Sequence, residues 1–126
     1  MSITSEEYKE LLNKKKTKNK HNAKGCRIDN IYFPSLLEGK CYSRLKDLKK
    51  EGIFSFFLRQ IPFDLPGQAS HRIDFCVFFK GRVLFIEAKG RDLPLGKLKR
   101  RQVEELYEIH VHVVKTIGEL NEVVKK

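Results

Sequence analysis

The chain has no apolar run long enough to cross a bilayer: the longest, around Ile73 to Phe79, is short and already broken by Asp74. Nothing resembles a secretory leader either, so a soluble chain working in the cytoplasm is expected. Cysteine is sparse and unpaired. Cys26, Cys41 and Cys76 are odd in number and contain no C-x-x-C, which argues against a disulfide framework and a standard zinc knuckle and predicts reduced thiols. No internal repeat is visible. Acid is also short: 16 Asp and Glu face 26 Lys and Arg, a formal net charge of +10.

What is present fits one domain, since 126 residues with 40% hydrophobic content suffice for a single core. The basic excess favours a polyanionic partner, because each neutralised phosphate releases condensed counterions. A merely solubilising surface is the alternative, but the cations are unevenly placed. They crowd into Lys14, Lys15, Lys16, Lys18, Lys20 and Lys24, and again into Lys97, Lys99, Arg100 and Arg101. The first group, with a short amphipathic helix from Thr4 to Asn13 before it, forms an N-terminal unit over residues 1–24 whose basic arm is suited to nucleic-acid backbone. Residues 25–126 form the main domain.

Within that domain, Ser35 and Glu38 after Pro34 have capping-box spacing and open a helix that closes at Gly52, with Leu37, Cys41, Leu45 and Leu48 inward. Ile53 to Gln60 reads as a strand, extensible past Pro62 to Leu65, and Pro62 places it at a sheet edge or bulge. His71 to Lys89 reads as two strands joined by Lys80-Gly81. A basic amphipathic helix from Leu98 to about Ile109 carries Leu98, Gln102, Val103, Leu106 and Tyr107 and leads to a strand from His110 to Val114, predicting a parallel crossover. Thr116 and Glu119 cap a last helix with Ile117, Leu120, Val123 and Val124 inward. The expected architecture is α/β, a central mixed sheet flanked by helices on both faces.

The two-residue turn sets Asp74 directly against Glu87 on one face of the hairpin, and Lys89 shares that face by the period of two. Opposed carboxylates in an apolar hairpin need an offset. They share a proton through mutual pKa displacement, or bridge to a divalent cation such as Mg²⁺, which suits one or two carboxylates plus water and phosphate. The plainer alternative is solvated strand ends paired with Arg72 and Lys89.

The segments Phe33-Pro-Ser-Leu-Leu-Glu38, Ile73-Asp74-Phe75 and Phe85-Ile-Glu87-Ala-Lys89-Gly90 resemble the PD-(D/E)XK nuclease superfamily, above all its small phage-type nucleases and Holliday junction resolvases. The first half is also similar to the endonuclease subunit of heteromeric transposases. Ile73 stands where the motif has proline. The resemblance spans Tyr32 to Val114 and implies a restriction-endonuclease-like αβββαβ core. It implies a Mg²⁺-dependent endodeoxyribonuclease, with Mn²⁺ as substitute, in which Asp74, Glu87 and Glu38 hold metal and Lys89 is the catalytic lysine. Gln60 would touch phosphate or water, and the implied cleavage of DNA would leave 5′-phosphate and 3′-hydroxyl ends. A junction resolvase would be a homodimer, placed in the host cytoplasm if phage-encoded. A nuclease subunit of a larger recombination or transposition complex and a non-catalytic DNA-binding module with the same fold are the other readings.

Several residues also have plainer explanations. Glu38 fits a capping box; His71 fits an exposed strand end; His110 and His112 share a strand face without a third metal ligand nearby; Cys76 fits a small buried hydrophobe. The Phe54, Phe56 and Phe57 cluster fits core filling better than base stacking. The run from Lys97 to Arg101 opposes the dipole of the helix it opens, which favours phosphate contact, with Gln102 alongside Lys99.

Overall fold

The computed structural model describes residues 25–126, so the Thr4–Asn13 helix and the basic arm with Lys14, Lys15 and Lys16 lie outside the described residues. The described chain is one α/β domain of six strands and three helices. They are β1 (Cys26–Ile28), β2 (Ile31–Phe33), α1 (Leu36–Lys50), β3 (Phe56–Leu65), β4 (Ala69–Phe79), β5 (Arg82–Ala88), α2 (Pro94–Tyr107), β6 (Val111–Val114) and α3 (Ile117–Lys125). Strands β3, β4, β5 and β6 form a mixed sheet in that order, antiparallel except for the parallel β5–β6 pair. The parallel pair is joined through α2, as a crossover requires.

Local chemistry explains most boundaries. Ser35 Oγ accepts from Glu38 N (3.1 Å) and Thr116 Oγ1 from Glu119 N (3.1 Å), so both caps form where Ser/Thr precedes an acid by three residues. Gly52, at φ +81°, ends the α1 segment by taking the left-handed conformation that a side chain would resist. Gly81, at φ +91°, does the same in the Lys80-Gly81 turn, and the pairing Phe79 with Arg82 through Phe75 with Ile86 is the expected register. Strand β3 is a sheet edge, which accommodates Pro62. It begins at Phe56, because Ile53 to Ser55 turn the chain from α1 onto the sheet.

Alternation along β4 and β5 divides the sheet into two faces. Phe75, Val77, Ile86 and Ala88 join Val114 under α1 and α3, against Cys41, Leu45, Leu48, Leu120 and Val124. Each fully buried aliphatic or aromatic side chain there contributes about 1.5 to 3 kcal/mol. The opposite face meets α2, where Phe63 packs edge-on to Phe85 and Tyr107 (5.7 and 4.9 Å between ring centroids) and Val103 is fully buried.

Helix α2 departs from expectation. It starts at Pro94, whose fixed φ suits a first turn, rather than at Leu98. It buries Arg100 and Val103, while Leu98, Leu106 and Tyr107 are 54%, 55% and 41% exposed. The short β1–β2 hairpin was not anticipated. Its turn is Asp29-Asn30, both at positive φ, and it seats Cys26 so close to Gly39 that a side chain there would collide with the thiol. No helix among the described residues is long and apolar enough to cross a membrane.

Candidate active site

The pairing of β4 fails on both sides at one residue. Toward β3, the rungs Arg59–Phe75 and Ile61–Ile73 are present, but Gln60 and Asp74 face each other without one. Gln60 sits at φ +52°, a left-handed conformation that is costly for a side-chain-bearing residue in mid-strand. Toward β5 the ladder stops at Phe75–Ile86. Antiparallel alternation would send Ala88 N to the Ile73 carbonyl. Instead Ala88 N donates to Asp74 Oδ2 (2.9 Å).

The interrupted rungs lie beside a cleft of about 620 Å³ that Asp74 lines together with Glu38, Gln60, Arg72, Lys89 and Arg91. Gln60 Nε2 donates to Glu38 Oε1 (3.0 Å) and, more weakly, to Asp74 Oδ1 (3.4 Å), so one amide bridges the two acids. Glu38 therefore does more than cap α1. Its backbone N–H serves Ser35, but its carboxylate turns to the cleft, and Oε2 is buried with no hydrogen-bond partner among the described residues. Burial, then the neighbouring Asp74 carboxyl, pushes the Glu38 pKa up to about 7, and Arg59 and Lys89 oppose the shift only in part. Arg72 and Arg91 are exposed and Lys89 half-exposed along the same cleft, so buried acid is combined with accessible cations.

Glu87 is positioned differently from the expectation. The turn directs Glu87 toward Asp74, but the ladder breaks before that rung, and the Glu87 carboxylate, 1% exposed, meets His71 Nε2 on one oxygen and Arg100 Nη1 (3.2 Å) on the other. Arg100 is in turn held by Asp92 through Nη2 to Oδ2 (2.6 Å) and Nη1 to Oδ1 (3.2 Å). That guanidinium holds the Asp92 carboxyl below its usual range, and both carboxylates raise Arg100. The acid that meets Asp74 is thus Glu38, while Glu87 anchors a buried network under α2. Among the described residues no group of three or more His, Cys, Asp or Glu side chains is arranged to hold one metal ion. A hard cation fits the Glu38–Asp74 pair nonetheless: two carboxylates converge, one oxygen lacks any partner, and Mg²⁺ commonly takes only one or two protein carboxylates.

Of the cations proposed for backbone contact, Lys97 and Arg101 are exposed and Lys99 is half-exposed on α2. Arg100 is the exception. Only 9% exposed and bound to two carboxylates, it is committed to the fold rather than to phosphate. His71 is likewise a half-buried partner of Glu87 instead of an exposed strand end. His110 pairs with Glu104 (Nδ1 to Oε2, 3.0 Å) and stacks edge-on against His112. Cys76 and Cys41 are buried thiols pushed up to about 11 and about 12, by burial in both cases and for Cys41 also by Asp74 and Glu38. Arg91 and Asp92 were missed by sequence reasoning, and Arg72 was read only as an ion-pair partner at a strand end. Their only signal was position, flanking the Asp74 and Lys89 strand segments. No protein-family model, curated protein or solved structure matches the chain.

Proposed function

We propose that the chain is a metal-dependent endonuclease that hydrolyses the phosphodiester backbone of DNA at the Glu38–Asp74 cleft. The observation that carries this reading is the Glu38–Asp74 pair itself. Two acids share one amide in a largely buried setting, with a carboxylate oxygen left unpartnered among the described residues. Such an arrangement costs stability unless a cation joins it. The resemblance to PD-(D/E)XK nucleases adds support at Glu38, Asp74 and Lys89, while the Glu87 that it also implies as a metal ligand is held by His71 and Arg100. The described residues share its coarse class, an α/β domain with a mixed four-strand sheet and helices packed on it.

Glu38 and Asp74 would hold Mg²⁺ or Mn²⁺, whose chemistry when bound is Lewis acidity toward phosphoryl oxygens. Gln60 fixes the two carboxylates relative to each other, and its strained backbone keeps the amide between them. Lys89 supplies an ammonium to the non-bridging phosphate oxygens or to the attacking water, offsetting charge that builds as the phosphate becomes pentacovalent. Arg72 and Arg91, which line the cleft, would take flanking phosphates, and the α2 cations Lys97, Lys99 and Arg101 would extend that contact along the backbone. Resolution of a four-way junction would require two such sites and hence two copies of the chain.

Commitment of Glu87 to His71 and Arg100 favours a second reading, a DNA-binding module with this fold and no cleavage. The test is cleavage of supercoiled plasmid and of a four-way junction in Mg²⁺ and Mn²⁺, with an EDTA control, by wild type and Asp74→Asn. Metal-dependent nicking that falls at least about a hundredfold in the variant supports the nuclease. Binding without cleavage in either metal supports the module.

A further inference from the structure

A second cleft, about 460 Å³, opens beside the first, between α1, β3 and the β1–β2 hairpin. Its apolar side is Ile31, Tyr42 and Phe57, and its polar side consists of lysines and Arg59, with no acidic residue lining it among the described residues. Lys46, Lys49 and Lys50 fall on one side of α1 by helical spacing. Lys46 is neutralised by Asp29, which also accepts from Tyr42 Oη (2.9 Å). Lys49 and Lys50 are exposed and form no ion pair among the described residues. Their place in the last turn suits the helix dipole, but the dipole does not account for Arg59, which comes from a different element.

Arg59 is the second observation. Its guanidinium lies over the Phe33 ring at 4.6 Å and near the Tyr42 ring at 5.7 Å, while its Nε is buried and lacks a hydrogen-bond partner among the described residues. A buried donor left open is costly, and an acceptor delivered by a ligand would satisfy it. Arg59 lines this cleft, and the next residue, Gln60, lines the catalytic one. One strand of β-sheet thus forms the border between the two.

We propose that this second cleft is a docking site for an unpaired nucleotide of the nucleic-acid substrate, its base against Phe57 and Ile31 and its phosphates on Lys49, Lys50 and Arg59. An apolar and aromatic surface beside unpaired cations is the combination that binds single strands, because every base has a face to stack and every linkage a charge to neutralise. A paired base cannot offer that face. The inference rests on the nuclease reading and narrows it: the preferred substrate carries an unpaired segment next to the scissile phosphate, as a flap or a splayed branch does, rather than continuous duplex.

The experiment uses the full chain in EDTA, which separates binding from cleavage. Fluorescence anisotropy follows a labelled oligo(dT) and a blunt duplex of equal length across a salt series, with wild type, Lys49→Gln/Lys50→Gln and, as a charge-matched control, Lys115→Gln/Lys125→Gln. The cleft variant is expected to bind oligo(dT) about tenfold more weakly. Its log-affinity against log-salt slope should be shallower by about 1.4, two phosphates at about 0.7 each. Duplex binding by that variant, and both ligands with the control, should change less than twofold. An iodo-deoxyuridine in the single strand should crosslink to Phe57 or Tyr42. Equal weakening on both ligands, or none, overturns the site, and so does crosslinking confined to other segments. Plasmid cleavage by a protein whose single-strand binding ignores Lys49 and Lys50 would remove this inference and leave the nuclease. Lysine-dependent single-strand binding with no cleavage in Mg²⁺ or Mn²⁺ would remove the nuclease and leave the site.

Discussion

Replacing Glu38 with glutamine should make the metal-free protein more stable and abolish the proposed cleavage. The carboxylate is only 5% exposed, its Oε2 lacks a partner among the described residues, and its pKa is pushed from 4.5 up to about 7 by burial first and Asp74 second. A carboxyl whose pKa is higher in the folded than in the unfolded state binds more protons when folded. Its contribution is therefore complete below about pH 4.5 and declines as pH rises toward and through about 7. Integrated over that window, the loss is about 3 kcal/mol as an upper figure. Glu38→Gln removes the charge while keeping the shape and can donate a hydrogen bond to Asp74. Urea denaturation in EDTA at pH 5, 6, 7 and 8 should then show wild type losing stability relative to the variant. The gap should reach about 1 to 3 kcal/mol at pH 8 and nearly vanish at pH 4.5. With Mg²⁺ at a hundred times its dissociation constant, wild type should recover about 2.7 kcal/mol at pH 8 and the variant far less. A variant less stable than wild type at pH 8, or a pH-independent gap, would refute the idea that Glu38 sits in an under-neutralised acidic pair.

Arg100→Met should lower stability by about 3 kcal/mol or more in chemical denaturation, since it strands Glu87 and Asp92 in the interior, whereas an arginine used only for phosphate contact would cost almost nothing. Gln60→Ala keeps the left-handed backbone and loses the bridging amide, so it should cost about 1 to 2 kcal/mol, and Gln60→Gly should cost less because glycine takes that angle without strain. Equal losses in the two variants would remove strain from the account of the cleft. Lys97→Gln/Arg101→Gln should leave stability within about 0.5 kcal/mol while flattening the salt dependence of duplex binding by about 1.8, two phosphates at about 0.9 each. An unchanged slope would take α2 out of the proposed interface.

Features fixed by two or three adjacent residues were legible in the sequence. Ser35 and Thr116 cap the helices they precede, Lys80-Gly81 makes the tight turn, and the β4–β5 register follows from it. The β1–β2 hairpin escaped because three-residue strands are too short for alternation to register. Its one signal was the Asp29-Asn30 pair, whose side chains tolerate positive φ. The inward face of α2 was misjudged for another reason. Hydrophobicity alone favours Leu98 and Leu106, but two interior carboxylates on other segments, Glu87 and Asp92, draw Arg100 to the sheet instead.

The same long-range choice governs the candidate site. A correct register fixes where two Cα atoms stand, and it leaves open which neighbour each side chain takes once helices cover the sheet. For Glu87 the choice is settled by a fixed cation and a histidine, so its negative charge is already compensated. Asp74 has no such cation bound to it among the described residues and faces Glu38, an acid from a helix that hairpin geometry could not connect to it. The uncompensated charge of the fold is therefore concentrated at the seam between α1 and β4, beside the strained Gln60, rather than across the β4–β5 turn. A cation drawn to this domain should go first to that seam, and Glu87 would join its coordination only by giving up Arg100, so substitutions at Glu38 should weaken metal binding more than substitutions at Glu87.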